Sequence, residues 1–178
     1  MIRFMNLLRV DKRIFKVGES ILPESNFEGR LTDERLELEN LLNELRPSEV
    51  PERGKCLFLF QDLAGALRHV AKYGGYIYSV TPDQVYSRGD INKLDNMLDV
   101  FRFTDDERMR KAVVNEYWKE GSHTYNPCYE ILANQCVVES VICGEEIQEK
   151  LKKELRFMGN CIEHCPTYIE LIKVAQYH

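Results

Sequence analysis

Apolar residues in this chain form short runs that alternate with helix-spaced repeats. The clearest repeat lies between residues 32 and 46. Thr32 precedes it as a suitable N-cap and Pro47 follows it as a helix breaker. Four leucines in the repeat have the i, i+3, i+4, i+7 spacing that places them on one helix face: Leu38, Leu41, Leu42 and Leu45. The pattern predicts an amphipathic helix over 32–46.

A strand, a helix and a second strand are predicted between residues 56 and 80. The runs 56–60 (CLFLF) and 76–80 (YIYSV) are rich in aromatic and aliphatic residues, as is typical of buried strands. Between them the apolar residues repeat with helical spacing. Asp62 is a suitable N-cap for this helix, and Gly74-Gly75 is a suitable end.

The start of the chain predicts a strand and then a loop. Residues 6–10 are a short apolar run, whereas 11–26 contain Gly18, Pro23 and several polar residues. Residues 81–103 are less regular, and Arg88-Gly89-Asp90 within them is interpreted as a turn.

The Thr-x-x-Glu sequence at 104–107 has the form of a capping box and predicts a helix that ends near Trp118. Trp118 is the only tryptophan and is expected to pack in the core. The remaining pattern predicts strands at 129–132 and 136–142, a turn at 134–135, and helices at about 145–157 and from Pro166.

These elements predict one α+β domain over residues 1–178. It would have a helical insertion at about 81–125 and C-terminal helices at about 145–178. An apolar fraction of 44% is sufficient for a hydrophobic core. The apolar runs are too short to cross a bilayer, so no membrane partner is expected. Arg3 and Arg9 interrupt the first apolar stretch, and no small-residue cleavage site follows. We therefore expect a cytoplasmic protein, or one secreted into a host cell without a cleaved signal peptide.

Charge and cysteine content exclude few classes of function. The formal net charge of −5 argues against a protein that coats nucleic acid, because such binding relies on Lys and Arg. The six cysteines are expected to be reduced thiols. Residues 161–165 (CIEHC) include zinc-ligand types, but structural zinc usually takes two close pairs and no second pair is evident. We therefore expect no metal.

Three blocks in a fixed order suggest a family. Residues 7–10 (LLRV), followed by 15–21, are a short strand ending near Arg9 and a loop with a glycine. Residues 56–80 contain the aromatic strand, the helix and the second strand described above. A glutamate then begins a strand at 129–132 (YEIL), and another apolar strand follows. Together the blocks resemble the core of the ADP-ribosyltransferase superfamily, of which the small rifamycin-modifying transferases have a comparable strand and loop.

The resemblance implies a mixed β core of two small packed sheets with peripheral helices, and NAD as co-substrate. Glu130 would be the catalytic glutamate that stabilises positive charge on the ribose and holds its 2′-hydroxyl. The transition state resembles that of glycoside hydrolysis. Arg9, with Val10, would contact the phosphate or the ribose, since a guanidinium can make two parallel hydrogen bonds to phosphate. Phe58, or else Phe60, would stack on nicotinamide.

The expected activity is mono-ADP-ribosyl transfer from NAD to a macromolecule. The acidic charge favours a protein target over a nucleic acid. The resemblance implies a glycosyltransferase-class enzyme of the kind found among toxins, secreted effectors and defence enzymes.

Three alternatives stay open. They are modification of nucleic acid or of a small molecule, a non-catalytic binding module on the same scaffold, and an unrelated α+β fold. Val10 replaces a glycine common in the family, and the strand at 56–60 lacks the family's Ser-Thr-Ser. Cys128 stands where arginine-directed members place Glu or Gln, so the target residue is open.

Overall fold

A computed structural model describes residues 7–25, 27–119, 121, 123–159 and 161–176. Within them lie seven strands: β1 (Leu7–Asp11), β2 (Ser20–Ile21), β3 (Leu57–Phe60), β4 (Tyr76–Pro82), β5 (Val85–Asp90), β6 (Tyr129–Ala133) and β7 (Cys136–Cys143). The α-helices are α1 (Asp33–Glu44), α2 (Leu63–Tyr73), α3 (Asn92–Phe103), α4 (Glu107–Trp118), α5 (Glu145–Phe157) and α6 (Pro166–Gln176). The prediction of a mixed α+β fold is confirmed.

The chain divides into two compact units. Unit 1 comprises Met1–Ile21, Leu59–Pro82 and Cys136–His178, and unit 2 comprises Leu22–Phe58 and Asp83–Gln135. No helix in the described parts of the chain is both long and apolar enough to cross a membrane.

Unit 1 is built on antiparallel strands. Strand β1 pairs with β4 from Leu7↔Val80 to Asp11↔Tyr76, and it also pairs with the end of β3. Strand β7 pairs with β4, and β2 pairs with β7. In β7 buried residues largely alternate with more exposed ones, as expected for a strand with one face in a core, whereas β1 and β4 are buried at nearly every position.

Helix α2 covers part of this core. Its N-cap is Asp62, whose carboxylate accepts a hydrogen bond from the Gly65 backbone N–H at 2.7 Å, as predicted. Its apolar residues Ala66, Leu67 and Val70 are buried. The helix ends at Gly74, whose φ of 76° is costly for any residue with a Cβ.

Unit 2 contains the β5–β6 antiparallel pair together with helices α1, α3 and α4. Helix α1 confirms the helix predicted over 32–46. Thr32 occupies its N-cap position but makes no side-chain capping hydrogen bond. The helices surround one core whose buried members are Leu38, Leu42, Leu94, Met97, Phe101, Val114 and Tyr117.

Two local predictions in unit 2 are wrong. Arg88-Gly89-Asp90 is not a turn, because all three residues lie in β5 opposite residues of β6. The segment 81–125 therefore contains strand as well as helix. Helix α4 is capped by Asp106, whose carboxylate accepts from the Arg108 backbone N–H at 2.8 Å. Thr104 instead ends α3 and accepts from the Asp106 backbone N–H.

Candidate functional site

Glu130, the predicted catalytic residue, belongs to a buried network in unit 2. It is the second residue of β6 and only 3% exposed. Nη1 of Arg53 donates to its Oε1 at 2.6 Å, and the Tyr117 hydroxyl donates to the same oxygen. Arg53 also donates to the Tyr117 oxygen. Two donors therefore fix this carboxylate, since charge-assisted hydrogen bonds are stronger than neutral ones.

Arg53 is the centre of the network. Its Nε donates to Oε2 of Glu39 at 2.9 Å, and Arg35 approaches the other Glu39 oxygen at 3.6 Å. Burial alone would lower the pKa of Arg53, but its interactions with Glu130, Tyr117 and Glu39 raise it well above its usual value. Burial is also the main reason why the pKa of Tyr117 is well above its usual value. The network thus contains a permanent cation and a neutral phenol.

Aromatic rings enclose the same guanidinium. The carbon Cζ of Arg53 lies 5.0 Å from the ring centroid of Phe58 and 5.2 Å from that of Tyr117. Phe58 is itself stacked on Phe27, with ring centroids 5.3 Å apart. These contacts favour the cation and place Phe58 and Glu130 around one arginine.

The absence of a side chain at Gly89 makes room for the ring of Tyr117. A Cβ at position 89 would lie 2.6 Å from two ring carbons of Tyr117 and 2.8 Å from its hydroxyl oxygen. Gly89 is directly opposite Glu130 in the β5–β6 ladder. The missing side chain therefore permits the tyrosine to reach the glutamate.

Unit 2 also contains a cleft of about 570 Å³, within the usual range for small-molecule sites. It is lined by aromatic, cationic and acidic residues: Pro47, Glu49, Val50, Tyr86, Ser87, Arg88, Asp90, Trp118, Lys119, Gly121, His123 and Tyr129. Trp118 and Tyr129 are the chain neighbours of Tyr117 and Glu130. Trp118 is half-buried and its indole N–H donates to the Leu42 carbonyl at 3.0 Å, so it both packs on the core and lines the cleft.

Asp90 shapes one wall of the cleft. Its carboxylate accepts hydrogen bonds from the backbone N–H and the hydroxyl of Thr124, at 2.7 and 2.6 Å. It also accepts from the backbone N–H groups of Cys128 and Asn92, both at 3.1 Å. Burial alone would raise the pKa of Asp90, but these hydrogen bonds lower it. The carboxylate is already occupied by donors of the protein.

The predicted cofactor-binding residues Arg9, Val10 and Phe60 lie in unit 1. Arg9 donates to Asp11 Oδ2 from Nε at 3.1 Å and from Nη2 at 2.8 Å. Val10 is 8% exposed, and Phe60 is 5% exposed with its ring 5.3 Å from that of His69. Packing and ion pairing account for these positions, and the prediction that they bind a cofactor stays a prediction.

Asp11 makes the stability of unit 1 depend on pH. Burial alone would raise its pKa, but hydrogen bonds from Arg13 and the charge of Arg9 lower it from 3.8 to about 2. A lowered pKa stabilises the fold above the unfolded value and loses that contribution as pH falls through the folded value. We expect a loss of about 2 kcal/mol between roughly pH 4 and pH 2.

Chemical denaturation at several pH values measures this loss. Asp11→Asn should lack that component of the pH dependence, whereas Asp99→Asn, at an exposed carboxylate, should retain it. Identical profiles for the wild type and Asp11→Asn would contradict the assignment.

The six cysteines are free thiols, and burial raises the pKa of Cys136 and Cys143 to about 11. Among the described residues, no group of three or more His, Cys, Asp or Glu side chains is placed to hold a metal ion.

Comparison of the chain with protein families, with curated proteins and with solved structures found no match.

Three members of the network were missed from sequence: Glu39, Arg53 and Tyr117. Glu39 offered a signal, because it lies between Leu38 and Leu42 close to the leucine face of α1. Arg53 offered no such signal, because the segment that contains it also has Pro51 and Gly54, which predict only an interruption of helical structure.

Proposed function

We propose that this protein cleaves NAD at the nicotinamide–ribose bond and transfers ADP-ribose to a macromolecule, preferentially a protein. The observation that supports it is the fixed carboxylate of Glu130 in the strand that begins at the cleft of unit 2. Arg53 and Tyr117 hold this carboxylate before any substrate arrives. Preorganised charge is the form of electrostatics that contributes most to catalysis.

The chemistry requires a carboxylate at a forming oxocarbenium ion. Glu130 would supply that group by its resemblance to the catalytic glutamate. The cleft would supply a volume for a nucleotide, and it is lined by Tyr129, the chain neighbour of Glu130, although the buried Glu130 carboxylate does not itself line it. The proposal has three further parts: the strands form an ADP-ribosyltransferase core, the protein acts as a toxin or effector, and its target is a protein. NAD is the only co-substrate it requires.

A second candidate function is nucleotide binding without transfer. It is favoured by the burial of Glu130, whose Oε1 faces Arg53 and Tyr117 in place of a substrate hydroxyl. On this alternative the carboxylate stabilises the fold, and NAD or a related nucleotide binds without losing nicotinamide.

Measuring nicotinamide release from NAD distinguishes ADP-ribosyl transfer from nucleotide binding without transfer. The purified protein is incubated with labelled NAD and several cell lysates, and both free nicotinamide and labelled protein are measured. Glu130→Gln is expected to lower the rate about 100-fold, the scale of losing one preorganised electrostatic group. Glu39→Gln is the matched control, because it also removes a buried carboxylate paired with Arg53.

Circular dichroism and denaturation establish the folded fraction of each variant, and rates are compared per folded molecule. A selective loss in Glu130→Gln supports transfer. Equal losses in both variants would mean that Glu130 acts through the fold. No release by the wild type, together with NAD binding, would favour the binding function.

A further inference from the structure

We infer that the cleft of unit 2 binds the phosphate-bearing part of a nucleotide, with its planar ring beside Tyr86 and Trp118 and its phosphate on Arg88. The inference deepens the proposed function and rests on it for the identification of NAD. It assigns the phosphate to a residue outside the motifs that resemble the transferase family. Three features of the cleft support it.

The first feature is the geometry of Arg88. Its Cζ lies 3.6 Å from the ring centroid of Tyr129, so the guanidinium is stacked on that ring. Stacking satisfies the face of the guanidinium and leaves its N–H edges available. The guanidinium of Arg88 makes no hydrogen bond or ion pair with any residue that the structure describes. A planar guanidinium held over an aromatic ring suits a phosphate, because two of its N–H groups can donate parallel hydrogen bonds to phosphate oxygens.

The second feature is an unused hydroxyl next to this arginine. The Ser87 oxygen is buried and has no hydrogen-bond partner among the residues that the structure describes. A buried polar atom without a partner costs about 1–3 kcal/mol. Ser87 lines the cleft, and a hydrogen bond from its covered hydroxyl to a bound ligand would remove that cost.

The third feature is a pair of half-buried rings. Tyr86 and Trp118 line the cleft and also pack against a small core that includes Val50 and Leu132. Their positions are therefore set by the fold before a ligand binds. Aromatic side chains offer a flat apolar surface, and stacking on a nucleobase contributes about 1–3 kcal/mol per base.

Cationic and acidic side chains both line the cleft. Arg88 and Lys119 are the cations, and the ammonium group of Lys119 lies 3.6 Å from a carboxylate oxygen of Glu116. Of its two acidic residues, Asp90 is occupied by backbone and hydroxyl donors and Glu49 is exposed. Because the Asp90 carboxylate is occupied by donors of the protein, the exposed guanidinium of Arg88 is the cation of the cleft best placed to attract a phosphate.

Trp118 provides the measurement. As the only tryptophan, it makes intrinsic fluorescence a report on the cleft. The protein is titrated with NAD, ADP-ribose, AMP and adenosine at two salt concentrations. We expect ADP-ribose and AMP to change the emission and to bind more weakly at high salt, and adenosine to bind at least tenfold more weakly than AMP.

Arg88→Gln is expected to weaken AMP binding at least tenfold and to leave adenosine binding unchanged. Arg108→Gln is the matched control, because this arginine is exposed on α4 and does not line the cleft. Arg88→Lys should recover only part of the affinity, since an ammonium group keeps the charge but loses the fork.

Several results would overturn the inference: equal affinity for AMP and adenosine, unchanged AMP binding by Arg88→Gln, or no response to any nucleotide. Binding of an acidic peptide in preference to AMP would replace the nucleotide by a protein ligand. Failure of the proposed function is detected by a different measurement, the nicotinamide-release assay. If AMP binds through Arg88 but no nicotinamide is released, the site stands and the transferase activity does not.

Discussion

Replacement of Arg53 by Met is expected to lower the free energy of unfolding by about 4 kcal/mol, the scale measured when one partner of a buried ion pair is removed. The side chain is only 1% exposed and contacts two buried carboxylates, Glu39 and Glu130. Methionine fills much of the volume but leaves both acids without their shared cation. The Tyr117 oxygen also loses a donor.

Denaturant titration followed by circular dichroism measures this loss. Arg102→Met is the control, because Arg102 forms an exposed pair with Glu34 and should change stability by less than about 1 kcal/mol. Adding Glu39→Gln and Glu130→Gln to Arg53→Met is expected to recover part of the loss, since the uncompensated charges are then gone. A loss below about 1 kcal/mol for Arg53→Met would contradict the central role of this arginine.

Gly89→Val is expected to destabilise the protein by about 3 kcal/mol, at the upper end of the cost of overpacking a core. The φ of Gly89 lies outside the left-handed region, and valine is favoured in strands. Strand propensity alone would therefore predict a gain in stability. The loss arises because the new side chain meets the Tyr117 ring at 2.6 Å.

A double-mutant cycle isolates this clash. Tyr117→Leu removes the ring, so Gly89→Val in that background should cost much less than in the wild type. The coupling is read from denaturation midpoints of the four proteins. An equal cost in both backgrounds would show that the contact with Tyr117 is not the cause.

Much of the fold follows from local pattern. The leucine spacing in α1, the Asp62 cap of α2 and the glycine that ends it were sufficient to predict these helices, because each depends on residues close in sequence. The strands β3, β4, β6 and β7 were also predicted from their apolar runs. Local patterns of this kind report on secondary structure directly.

Strand β5 shows where local pattern fails. Arg88-Gly89-Asp90 has turn composition, yet each residue is held in the strand by a partner distant in sequence. Gly89 admits the Tyr117 ring, and Asp90 accepts donors from Thr124 and Cys128. Such tertiary requirements override propensity.

The candidate site was predicted only in part. Glu130 was singled out, but its contact with Arg53 joins residues 77 positions apart, and no spacing in the sequence encodes it. The cleft was not predicted either, because its walls come from residues 47–50, β5, the end of α4 and the start of β6.

The anchoring role of Asp90 divides the cleft into a fixed part and an adjustable part. One side chain attaches the segment around Thr124 and Cys128 to the end of β5. Lys119, Gly121 and His123 precede that attachment and also line the cleft. Changes of side chain at Lys119 and His123 can therefore alter which ligand is accepted while the framework remains intact, so these two positions are the natural place to redesign specificity. Gly121 is not, because its φ of 76° disfavours any residue with a Cβ.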